Sequence, residues 1–542
     1  MRIFRGLIVV LLVLVARPGA TQDLARMEDV IQSRVKDSTF MGSVLVVRDD
    51  NVILNKGYGF ANVEWQLPNT PTTKFRLGSL TKQFTSASIL LLEERGKLSL
   101  DDHVKKYLAD APASWDAITI FNLLTHTSGI FNYTALPDFT TTMSDPLTPE
   151  QIIAKVRDRA LDFEPGSKMS YSNSGYIVLG MIIEKVSGES YESFLQKNLF
   201  DPIGMKDSGY DSYKTVIARR ASGYVRGPNG LVNAAYMDMS LPYAAGALYS
   251  TTGDLLRWEQ ALFGGKVLKP ASLQKMTTPN KGDYALGVVV REQNGHRVVQ
   301  HNGGINGFNT FLAFYPDSHI TIAVLGNVNG PAPDAIGAAL GTLANGGSVQ
   351  LTSERKEIAL PAAALSAFVG TYEMAPNVNL MVTLDTDHLM AQLSGQQKFQ
   401  LFAESDTRFF VKVVDAQVDF VKDASGAVTQ AVLHQSGRDI KGTKKSDRVA
   451  ERQAITLPKS ALEPLVGTYQ LRPGADLTVT LDGDHLMAQL TGQPKFELFP
   501  EREDYFFYKV VDAQLEFKKD AGGAVTAAVL HQGPANITAT RK

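Results

Sequence analysis

Phe75-Arg76-Leu77-Gly78-Ser79-Leu80-Thr81-Lys82-Gln83-Phe84 opens an apolar helical pattern that runs on through Ala87 and Leu91 and ends at Gly96. Residues three apart share one face of a helix, so Lys82 is expected one turn beyond Ser79. That spacing has a chemical use. A serine hydroxyl is a poor nucleophile until a neighbouring base takes its proton, and a lysine is such a base when burial depresses its pKa. The N-terminal end of the helix also favours negative charge at Ser79. A serine and a lysine at this spacing are common, and a helix cap followed by a surface lysine reads the same way. The run Ile89 to Leu92 is apolar all round. It predicts a buried helix, in which a lysine needs a reason to be.

Two further elements lie downstream. Phe163-Glu164-Pro165-Gly166 precedes Tyr171-Ser172-Asn173, after which Tyr176, Leu179, Ile182, Ile183 and Val186 mark an amphipathic helix. Tyr171 and Asn173 are thus expected on the loop entering that helix. There a phenol can exchange protons with a lysine and an amide can bind a substrate amide. A helix cap at Asn173 with Tyr171 packed beneath it is the plainer alternative. His301-Asn302-Gly303-Gly304 follows one strand pattern and precedes another, Asn309 to Tyr315. Glycines there let a ligand approach the backbone, with the Gly304 amide completing an oxyanion hole begun by the Ser79 amide, or else they mark an ordinary hairpin.

The order S-x-x-K, Y-x-N, H-x-G, with a helical region between the elements, resembles the serine β-lactamase, penicillin-binding-protein and esterase superfamily. The nearest likeness is to the class C branch and serine peptidase family S12. The resemblance covers about Met27 to Asn345 and extends to Leu123-Leu124-Thr125-His126-Thr127-Ser128-Gly129, Pro202-Ile203-Gly204-Met205 and Gly246-Ala247-Leu248-Tyr249-Ser250. It implies a serine hydrolase in which Ser79 is acylated, Lys82 and Tyr171 move the proton, and Asn173, His301, Gly303 and Gly304 bind substrate. It implies no cofactor and no metal. The third motif usually begins with lysine. Here it begins with His301, mostly neutral at neutral pH if its pKa stays near the reference value of about 6.5. Peptide, amide or ester hydrolysis is therefore expected to outrank β-lactam hydrolysis. The H-x-G form is similar to that of D-aminopeptidases, which also carry two C-terminal barrels. A penicillin-binding sensor or scaffold with little turnover is the competing expectation.

The remaining composition narrows the setting. A chain of 542 residues exceeds one core, and its formal charge of −2 provides no field for nucleic acid or an anionic membrane surface. The partner expected is a small-molecule or peptide substrate, cell-wall fragments included. Arg2, Arg5, the apolar run Leu7 to Ala16 and Pro18-Gly19-Ala20 read as a signal peptide cut after Ala20, with too few apolar residues for a retained span. An exported protein, periplasmic or secreted, is the expectation. With no cysteine, thiol catalysis, disulfides and lipid-modified cysteine are excluded.

Strand patterns at Ser43 to Val47 and Val52 to Asn55 return at Tyr284 to Val290, Arg297 to Gln300, Asn309 to Tyr315 and Ile320 to Leu325, with helices between. This predicts an α/β (α+β) domain over 21–346 with an antiparallel sheet flanked by helices. Beyond it, Val369-Gly370-Thr371-Tyr372 recurs as Val466-Gly467-Thr468-Tyr469, and His388 to Leu393 recurs as His485 to Leu490, always 97 positions apart. Two small antiparallel β-barrels are expected, over 360–437 and 457–542, joined by a charged linker from Arg438 to Arg452. Their loops are expected either to screen substrates or to dock the protein. His388, His434, His485 and His531 follow the repeat and are read as structural, as is His126 through a hydrogen bond that steadies its loop.

Overall fold

A computed structural model describes residues 18–542 except 228, 377, 413–415, 436–437, 450–451, 473–474 and 533–534. The signal-peptide reading from Arg2 to Ala16 lies outside the described residues. The expected cut after Ala20 falls in the first turn of helix α1, Pro18–Lys36. Among the described residues no helix is long and apolar enough to cross a membrane. The chain forms two compact units, one running to Tyr133 and resuming over Pro146–Val349, the other made of Thr134–Asp145 with Gln350–Lys542.

The first unit is built on a six-stranded antiparallel sheet. Its strands are β1 (Gly42–Arg48), β2 (Asn51–Tyr58), β3 (Val289–Gln293), β4 (His296–Ile305), β5 (Phe308–Tyr315) and β6 (Ile320–Gly326). They lie in the order β3-β4-β5-β6-β1-β2, so both ends of the unit meet at its centre. β1 and β6 are buried at nearly every position rather than at alternate ones. Strands read that way when both faces of the sheet are covered. Side chains alternate across β5, which separates the two covers. Phe311 and Tyr315 face helix α5 (Ala332–Ala344), where a Cβ on Gly337 would stand 2.2 Å from Phe311 and one on Gly341 2.0 Å from Tyr315. Phe314, on the other face, stacks on Phe263 of helix α4 (Thr252–Phe263), with centroids 4.1 Å apart. Between the sheet's two halves run helices α2 (Thr81–Glu94) and α3 (Asn173–Ser187).

One strand differs from expectation. Tyr284 to Val288 is a turn and only Val289–Gln293 pairs as β3. Gly287, at φ +74, brings this turn onto α2, where a Cβ would lie 2.7 Å from the Lys82 carbonyl and 2.4 Å from Ser86 Oγ.

The second unit holds two closed eight-stranded antiparallel barrels, from Gly370–Ala375 to Arg438–Ser446 and from Gly467–Arg472 to Ala535–Arg541. The repeat is structural as well as sequential. The hydroxyls of Tyr372 and Tyr469 donate to the Phe368 and Leu465 carbonyls, each at 2.7 Å. The charged stretch read as a linker is corrected here: Arg438–Ser446 is the strand that closes the first barrel, paired with Val428–Gln435 and Gly370–Ala375. His434 sits between Asp419 and Asp439, and His531 between Glu516 and Asn536.

Candidate active site

Ser79 sits on a 3-10 turn, Gly78–Leu80, that leads into α2. The turn is fixed on both sides: Leu77 N donates to the Leu248 carbonyl at 2.8 Å, and the Leu77 carbonyl accepts from Thr310 Oγ1 at 2.7 Å. One helical turn on, Lys82 is fully buried. Its Nζ lies 2.8 Å from Asn173 Oδ1, 2.9 Å from the Ala245 carbonyl and 3.1 Å from Ser79 Oγ. Burial holds the Lys82 pKa well below the ordinary lysine value of 10.5. A neutral amine has two N–H donors and one lone pair. Asn173 Oδ1 and the Ala245 carbonyl accept the two hydrogens, which leaves the lone pair for the Ser79 hydroxyl. The arrangement can therefore deprotonate Ser79.

Tyr171 Oη lies 2.8 Å from the same Ser79 Oγ. Burial of the phenol pushes its pKa above the usual value, so it donates a hydrogen bond to Ser79 instead of standing as a phenolate. Tyr171 precedes α3, whose N-cap is Ser172 and whose first residue is Asn173. The Asn173 side chain does not cap the helix. Its Oδ1 accepts from Lys82, while the backbone N of Asn173 donates to Asn132 Oδ1 at 3.1 Å. The plainer reading of Y-x-N is thereby excluded.

His301, Gly303 and Gly304 stand inside β4, in one arm of the hairpin it forms with β5 rather than in the turn. His301 is buried, and burial pushes its pKa down to about 4. Its Nδ1 lies 2.6 Å from the Asn302 carbonyl, which can only accept, so Nδ1 carries the hydrogen. Nε2, 3.1 Å from Tyr284 Oη, then accepts from that phenol. Both ring nitrogens are committed within the protein and present no cation to a substrate. The substrate-facing part of the motif is the backbone. A Cβ on Gly303 would lie 1.9 Å from the Leu77 carbonyl, and one on Gly78, at φ +56, 2.9 Å from Gly304 N. These two glycines let β4 press against the nucleophile turn and set the Gly304 amide beside the Gly78–Ser79 peptide. Ser79 is half-buried and Gly304 exposed, so the site is open to substrate. Among the described residues no group of three or more His, Asp or Glu could hold a metal.

A clash at Gly303 displaces one oxyanion donor from the other. Gly303→Ala is expected to lower kcat on an activated ester by about 10² to 10³, the cost of one oxyanion donor. Steady-state kinetics check this, with a thermal melt to register the added strain. An unchanged kcat would dissociate β4 from the reaction.

The motif residues Ser79, Lys82, Tyr171, Asn173, Gly303 and Gly304 thus converge, with His301 beneath them. Two contributors carried no motif: the Ala245 carbonyl on Lys82 and Tyr284 on His301; His126, read from the sequence as steadying its loop, also packs on Tyr171 with ring centroids 4.2 Å apart.

A serine with a buried lysine of depressed pKa and a phenol on the same oxygen define a serine hydrolase. The family described as Beta-lactamase matches residues 27–345, and the chain belongs to that family. The barrels, 354–444 and 451–540, match a family described only as a domain of unknown function, DUF3471. Penicillin-binding protein 4* of Bacillus subtilis is 30% identical over 427 residues, covering 74% of this chain and 94% of that protein. Among solved structures, the octameric penicillin-binding protein homologue from Pyrococcus abyssi is 27% identical with a TM-score of 0.57, covering 78% of this chain and 99% of that one. A penicillin binding protein from Bacillus halodurans is 30% identical with a TM-score of 0.51, covering 56% and 96%.

Proposed function

We propose that this protein hydrolyses D-amino-acid peptides or amides and small esters through an acyl-enzyme, in preference to β-lactams. The observation that carries this reading is His301, which is neutral, buried and bonded at both nitrogens, so that the third motif offers no charge to a substrate carboxylate. In the reaction, Ser79 Oγ attacks the substrate carbonyl while its proton passes to Lys82 Nζ. The amides of Ser79 and Gly304 take the oxyanion, and Tyr171 relays the proton to the leaving nitrogen or oxygen. Water then replaces the leaving group and the same groups act in reverse. Arg2, Arg5 and the apolar run after them support action outside the cytoplasm.

The second reading is a protein of this fold that is acylated and hardly turns over. The name of the Bacillus subtilis relative, a penicillin-binding protein, favours it. Both readings are tested by one purified sample against a p-nitrophenyl ester, a D-alanine p-nitroanilide and a chromogenic cephalosporin. The first predicts sustained turnover of the ester or the anilide, with a cephalosporin rate well below both. A stoichiometric burst without turnover on all three supports the second, and a cephalosporin rate equal to the ester rate overturns the ranking.

A further inference from the structure

Beneath the catalytic groups lies a histidine that the mechanism does not use. His126 is 1% exposed and, although not a glycine, adopts φ +56, a conformation few side chains enter without something to hold them there. The bonds it makes lie on both sides of Tyr171. Its carbonyl accepts from Ser170 N at 2.9 Å, and its ring Nδ1 accepts from Ser172 N at 3.2 Å. Between those two clamps, the imidazole packs against the Tyr171 ring with centroids 4.2 Å apart and planes tilted by 38°. The same imidazole meets the Tyr284 ring at 4.7 Å and the Tyr176 ring at 5.1 Å.

We propose that His126 is a positioning residue for Tyr171, holding the phenol oxygen against Ser79 by clamping the chain before and after it and bracing its ring. The proposal rests on the assignment of Tyr171 to proton transfer made above. An apolar side chain would fill the space but leave the buried Ser172 N–H without an acceptor. Burial holds the His126 pKa well below the usual histidine value, which keeps Nδ1 free to accept. Nε2 then carries the proton, and it has no hydrogen-bond partner among the described residues. The ring is therefore present for what Nδ1 and its face do. Displacing a reacting group by about 1 Å costs on the order of 10²-fold in rate, so a loosened phenol is measurable.

The test compares His126→Asn and His126→Phe in the full chain, each alone and with Tyr171→Phe, by single-turnover acylation with a p-nitrophenyl ester. Asparagine can offer an acceptor near the position of Nδ1 and tolerates positive φ, whereas phenylalanine keeps a ring and deletes the acceptor. His126→Phe is expected to slow acylation about 10²-fold with KM little changed, and His126→Asn to stay within about tenfold of the parent. With Tyr171→Phe already present, either change at 126 should add less than about threefold, since it acts through the phenol. Full additivity in both backgrounds overturns the proposal, as does a His126→Asn protein that folds but acylates about 10² slower. Should His126→Phe fail to fold, the asparagine pair still decides. A Tyr171→Phe protein with parental acylation instead sinks the role of Tyr171 itself.

Discussion

Ser79→Ala is expected to abolish stoichiometric labelling by a fluorophosphonate and to lower ester turnover on the order of 10⁶-fold, the scale of losing a serine nucleophile. The oxygen removed is the one approached by Tyr171 at 2.8 Å and by Lys82 at 3.1 Å. Ser79 is half-buried, and Lys82 keeps Asn173 and Ala245 as partners, so the fold should survive. Intact-mass spectra read the result. A full adduct on the alanine variant would show that acylation occurs elsewhere.

Lys82→Met is the second large loss expected. A flexible apolar chain fills much of the buried space but cannot take a proton. General base catalysis contributes about 10² to 10⁴ in rate, and acylation should fall within that range while circular dichroism stays that of the parent. The dependence on pH has a definite sign. The neutral amine is the active form and burial depresses its pKa, so parental kcat/KM should be present above that depressed value and lost as pH falls through it. That limb lies below the ordinary lysine value of 10.5 and should vanish with Lys82→Met. An acid limb unchanged in the variant would assign the titration to another group.

The residues legible in the sequence were those whose spacing along the chain already reflects the geometry. Ser79 and Lys82 share a helix turn, and Tyr171 with Asn173 marks the start of a helix. Tyr284 carries no sequence signal because it reads as the start of a strand, and for His126 the sequence shows a residue that steadies its loop but not its ring against Tyr171. The closing strand Arg438–Ser446 was hidden for another reason. The one position there described as buried is Gly442, where a Cβ would meet Met374 Sδ at 2.3 Å, so no apolar alternation betrays the inner face. The second copy is no plainer, since in its corresponding strand, Ala535–Arg541, Ala539 is buried but Ile537 is exposed, as Ile440 is in the first. The segment Tyr284 to Val288 reads as a strand because its apolar residues are buried, yet beyond isolated bridges of Tyr284 to Lys281 and Val289 it makes no sheet pairing.

The place of β1 between β6 and β2 has a consequence for the order in which the molecule can assemble. Synthesis delivers Ser79, Lys82 and Tyr171 early, but the Leu77 carbonyl waits for Thr310, 233 positions later, and Gly42 waits for Gly326. Pairings so far apart in the chain close slowly. A nascent chain ending before β5 and β6 would own the nucleophile, its base and its phenol, yet have no completed wall to hold an acyl group. Most barrel strands, by contrast, pair with the next strand along and can zip up soon after they emerge. The part that performs the reaction is thus made first and finished late.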